Sequence, residues 1–139
     1  MGHILKLYVS TIFIFLLIDL TYLGWIMPKF YKTQLGPLAR LKGEALAPLW
    51  WAAGVVYLLI PLGIVLFALP RANPASPLVS SLAWGFIYGI TLYGVYDFTN
   101  LSTLANWPVA LSFADTAWGG VLCALVTAAA YRLNQWFSA

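Results

Sequence analysis

Acidic side chains are scarce in this 139-residue sequence: Asp and Glu together number four, against seven Lys and Arg, and charged residues make up only 8% of it. A soluble domain covers much of its surface with charge, so a chain this poor in charge and 63% hydrophobic does not belong to that class. Cysteine occurs once, at Cys123. That excludes an intrachain disulfide and a thiolate cluster, and leaves the thiol a small packing role. Histidine also occurs once, at His3, and the lack of His and Cys sets argues against zinc or haem. No cofactor is expected. A net charge of +3 from so few basic residues gives no nucleic-acid footprint, so nucleic acid is not an expected partner. The basic loops suit the headgroups of membrane lipids instead.

What the sequence does have is long apolar runs. A helical crossing needs roughly 20 apolar residues, and four runs qualify, at about 7–27, 48–69, 78–99 and 109–131. The expected fold is all-α, an integral membrane four-helix transmembrane bundle, with residues 1–139 forming a single four-span domain. The first run is too long for a cleaved signal peptide and lacks a small-x-small cleavage site. Between the first two spans, Pro28 to Ala47 carries Lys29, Lys32, Arg40, Lys42 and Glu44 among aromatic and leucine side chains. That mixture fits a segment lying on the membrane interface, or a plain basic loop. Pro61 and Gly63 interrupt the second span and predict a kink that neighbouring helices must cover. Gly85-x-x-x-Gly89 and Gly120-x-x-x-Ala124 allow close backbone approach, which serves packing within the bundle or a homodimer.

Three of the four carboxylates, Asp19, Asp97 and Asp115, lie inside or at the rim of these apolar runs. An ionised side chain there costs several kcal/mol unless it is paired, protonated or wet. With alternating crossings, Asp19 sits about 12 Å from the exit of span one, Asp97 about 3 Å from the exit of span three, and Asp115 about 9 Å past the entry of span four. All three are expected in the same half of the membrane. Helical spacing puts Tyr93, Asp97 and Asn100 on one face of span three, and Phe15, Asp19 and Tyr22 on one face of span one. A tyrosine hydroxyl can donate to a carboxylate and lower the cost of burying it. Most tryptophans fall near span ends, as interfacial belts do, but Trp84 and Trp118 lie deeper and are candidates for lining a pocket.

The stretch Tyr93-Gly-Val-Tyr-Asp-Phe-Thr-Asn-Leu, then Asn106-Trp-Pro and Asp115-Thr-Ala-Trp-Gly, with Asp19 and Gly24-Trp25 in the first span, closely resembles a bacterial family. It is the family of predicted membrane proteins catalogued as domain of unknown function 2177, and the resemblance covers essentially the whole chain. It implies a small four-span protein of the bacterial cytoplasmic membrane. No activity comes with it, so Asp19, Asp97, Asn100 and Asp115 carry over as signature positions without roles.

Three function classes remain. In the first, a small cation or a polar or cationic solute is bound or transported at the aspartates, with Asn100, Tyr93, Tyr22 and Trp118 lining the site. In the second, the same oxygen-rich groups form a divalent-metal site or an intramembrane enzyme, although no nucleophile with an adjacent base is visible. In the third, the polar groups only hold the helices together in a structural or lipid-binding module. The first is the expected one.

Overall fold

The computed structural model describes residues 2–43 and 45–138; Glu44, read above into the first connection, lies outside them. Helix α1 runs Gly2–Thr21 and continues as a π-turn over Tyr22–Ile26. A short helix α2, Pro28–Leu35, begins at a proline, whose missing N–H would be unpaired at a helix start anyway. Two-residue strands β1, Leu41–Lys42, and β2, Ala45–Leu46, pair antiparallel, with Gly43 turning the chain at φ 61. Helix α3, Trp50–Gly63, passes into a second π-turn, Ile64–Ala68. Helices α4, Pro77–Thr103, and α5, Val109–Ser138, complete the chain. Four helices, Gly2–Ile26, Trp50–Arg71, Pro77–Thr103 and Val109–Ser138, are long and apolar enough to cross a membrane.

The span limits differ from those read off the apolar runs because backbone pairing and packing carry helices past the end of the hydrophobic stretch. His3 near the start of α1 is hydrogen-bonded to Asn134 of α5 at 2.8 Å, so both helices extend beyond the expected 7 and 131. Leu7, Val65, Leu69 and Ala130 form a small core there, against which Leu133 and Phe137 pack. At the end of α4, the Ser102 and Thr103 hydroxyls bond back to the Thr99 carbonyl, so Asn100 lies in the helix rather than in the link. The first connection is not a plain loop: it folds into α2 followed by the β1–β2 hairpin.

Helices α4 and α5 pack most extensively, and α1 lies against both α5 and α3. Glycine makes the α4–α5 approach possible: a Cβ added at Gly85 would overlap the Cys123 carbonyl, and one at Gly89 the Gly119 carbonyl. That face is therefore used inside the bundle, and a homodimer would need another. The main core joins Phe15, Ile60, Ile64, Leu122, Cys123 and Val126, drawn from α1, α3 with its π-turn, and α5. Pro61 does interrupt regular pairing, and the helix widens into the π-turn just after it. The hydroxyls of Tyr8 and Tyr88 donate to the Leu58 and Ile60 carbonyls, at 2.9 and 3.3 Å, so α1 and α4 cover the break. Trp25, Trp50, Trp51 and Trp136 are all exposed near helix ends, as interfacial side chains should be.

Candidate functional site

Helix α1 buries one side chain per turn, Leu7, Thr11, Phe15 and Asp19, a spacing of four that keeps them on one face. Thr11 satisfies its hydroxyl within the helix, on the Leu7 carbonyl, so Asp19 is the first member of the stripe to bring a charge into the bundle. Asp19 is only 5% exposed, and each of its oxygens accepts from a ring of a different helix: Oδ2 from the Tyr57 hydroxyl of α3 at 3.1 Å, and Oδ1 from Trp118 Nε1 of α5 at 3.0 Å. Both donors are neutral, so they lower the burial cost without cancelling the charge. Three residues after Asp19 the backbone loosens into the first π-turn, which begins at Tyr22; the Tyr22 and Trp118 rings stack at 3.6 Å and 8°. Tyr22 also meets Tyr31 edge-on, at 6.4 Å.

Tyr31 is the buried residue of α2, and its hydroxyl donates to Asp115 Oδ1. Burial first, and then the neighbouring Asp115 carboxylate, push the Tyr31 phenol well above its usual pKa, so it keeps its proton and remains a donor. Asp115 stands between the other two aspartates, within electrostatic reach of Asp19 and in contact with Asp97. Asp97 is fully enclosed, at 0% exposure, and neither of its oxygens meets a donor among the described residues. The Thr116 hydroxyl is also buried without a partner among the described residues. The helix register explains the placement: Gly94 of α4 lies beside Thr116, so one turn on Asp97 reaches the turn of α5 that holds Ser112, Asp115 and Thr116. Two carboxylates are acceptors only. Asp97 and Asp115 can bond each other only through a proton, or through a cation between them.

Of the residues singled out in the sequence, Asp19, Asp97, Asp115, Tyr22 and Trp118 therefore meet in one cluster, in the half of the bundle bounded by the first and third connections. Tyr93 joins by proximity: it packs against Gly119, within electrostatic reach of Asp19, Asp115 and Tyr57. Asn100 does not bond an aspartate among the described residues; its side chain lies beside Tyr96 instead. The hydroxyls that do bond the aspartates, those of Tyr31 and Tyr57, were not singled out. Tyr57 is the only ionisable side chain of the apolar run 48–69, which is a usable signal. For Tyr31 there was none, since nothing in the sequence folds α2 back over the bundle. Among the described residues no group of three or more His, Cys, Asp and Glu side chains is placed to hold a metal ion, so a three-carboxylate divalent site is not formed.

A family model with the description Predicted membrane protein (DUF2177) matches residues 4–132. No curated protein and no solved structure matches the chain.

Proposed function

The chain belongs to that family, and on this premise we propose that it binds a small cation at the Asp19–Asp115–Asp97 cluster, and moves it across the bacterial cytoplasmic membrane. The observation that carries the reading is the state of Asp97, enclosed by protein with no donor to either oxygen among the described residues. A buried polar group without a partner costs about 1–3 kcal/mol, and a charged one more. Asp19 has two donors, whereas neither oxygen of Asp97 meets one among the described residues, its neighbour Asp115 being an acceptor as well. A desolvated cation between Asp97 and Asp115 supplies what is missing. The enclosure of Asp97 favours a compact ion over an organic one. Tyr31, Tyr22 and Trp118 cover the cluster toward the first connection, and passage of the ion requires them to move.

Thermal unfolding of the purified protein, scanned across Na⁺, K⁺, Mg²⁺, Ca²⁺ and organic cations, tests the reading. A ligand of the folded state stabilises it by mass action, about 2.7 kcal/mol at a hundred times its Kd. One small inorganic cation is expected to raise the midpoint in a saturable way. A midpoint that responds to none of them contradicts the proposal.

A further inference from the structure

On the opposite side of the bundle from the aspartates, a groove of about 410 Å³ runs between the end of the second span and α4. Its walls are Phe67, Trp84, Ile87 and Leu92, all exposed to the surroundings of the bundle, with Tyr88 and Thr91 also lining it. The two hydroxyls are already engaged, Tyr88 with the Ile60 carbonyl and Thr91 with the Ile87 carbonyl, so the groove offers an apolar wall. From Trp84 to Leu92 the wall extends about 12 Å along the helix axis. That compares with about 15 Å for half of a hydrocarbon core.

One charge stands at the mouth. Arg71 closes the second span, where its Nη1 donates to the Phe67 carbonyl at 2.6 Å and its guanidinium lies over the Trp84 ring at 5.6 Å. These contacts fix the group at the groove while using few of its five donors. Among the described residues Arg71 has no carboxylate partner, since the three described aspartates cluster in the other half.

We infer that this groove is a binding site for one acidic phospholipid, its phosphate on Arg71 and one acyl chain along the wall from Trp84 to Leu92. Charge complementarity selects the headgroup. The match between wall length and leaflet depth selects a lipid over a soluble anion. The site shares no residue with the aspartate cluster and stands apart from the cation reading.

Native mass spectrometry of the purified protein, with phosphatidylglycerol and phosphatidylcholine of identical acyl chains added in turn, reads the site. Wild type is expected to retain one phosphatidylglycerol about fivefold more tightly than phosphatidylcholine, the ratio that one basic side chain gives at a membrane surface. Arg71→Gln should remove the preference, while Lys6→Gln and Arg132→Gln, which alter basic residues on the same side, should keep it. Ile87→Trp, which fills the groove and leaves the charge, should lower retention of both lipids. Excess glycerol phosphate should not displace the lipid. The inference is overturned if wild type shows no preference, if Lys6→Gln or Arg132→Gln abolishes it as fully as Arg71→Gln, if filling the groove changes nothing, or if glycerol phosphate competes.

Discussion

Replacing Asp97 with asparagine should make the empty protein more stable while abolishing its response to a cation. The side chain keeps its shape, but one acceptor oxygen becomes an NH₂ that faces the Asp115 carboxylate, the group in contact with Asp97. The substitution removes a buried carboxylate with no donor on either oxygen and creates a hydrogen bond to a charged group, a bond that contributes about 1.5–3 kcal/mol. Allowing for imperfect geometry, the net gain should be about 2 kcal/mol. For a chain of this length, between the sizes for which 1 kcal/mol shifts the midpoint by about 2–4 °C and about 4–8 °C, that corresponds to roughly 6–10 °C. Thermal unfolding in detergent or nanodiscs, with and without the cation that stabilises wild type, reads both effects together. The reasoning is refuted if Asp97→Asn lowers the midpoint, because Asp97 then has a structural partner, or if the variant still responds to the cation.

Asp19→Asn should behave oppositely: both oxygens accept hydrogen bonds, from Tyr57 and Trp118, and an amide can accept only one while turning its NH₂ toward the other donor. A loss of about 1–3 kcal/mol is expected, shrinking in a double-mutant cycle with Tyr57→Phe; a silent Asp19→Asn would show these bonds to be absent. Tyr31→Phe should loosen α2 alone, seen as faster amide exchange over residues 28–35 with α4 and α5 still protected. Because the folded Tyr31 phenol is held above its ordinary value, its contribution to stability is complete below about pH 10, where the unfolded chain also keeps the proton. It is lost as pH rises further, so wild type should weaken more steeply there than Tyr31→Phe. Gly89→Leu should cost more than about 3 kcal/mol through overlap with the Gly119 carbonyl, whereas Gly24→Ala, with nothing within 4 Å of the added methyl, should be tolerated. Equal midpoints for the two glycine variants would contradict the close α4–α5 approach.

The membrane class and the four crossings were legible because they depend on composition and run length, which the bilayer reads directly. The common half of the three aspartates followed from alternating direction alone. Span ends were less legible: the His3–Asn134 bond and the packing of Leu133 and Phe137 are tertiary facts that no local run encodes. Pairing within the cluster divided along the same line. The i, i+3 spacing that put Tyr22 on the face of Asp19 was informative, since the Tyr22 ring stacks on Trp118. The same spacing put Asn100 near Asp97, yet its side chain lies beside Tyr96 of its own helix. The donors to Asp19 and Asp115 come instead from other elements, α2, α3 and α5, whose neighbours are decided by packing.

The central claim is that a compact cation resides between Asp97 and Asp115. Thallium is a heavy monovalent ion with strong anomalous scattering, and an anomalous difference map from crystals grown with it would locate such an ion directly. The account predicts a peak in contact with both carboxylates, absent in Asp97→Asn crystals under the same conditions. Where the thermal scan singles out a monovalent ion, a map without that peak would contradict it; where it singles out a divalent one, Mn²⁺ takes the place of thallium and the same absence contradicts it.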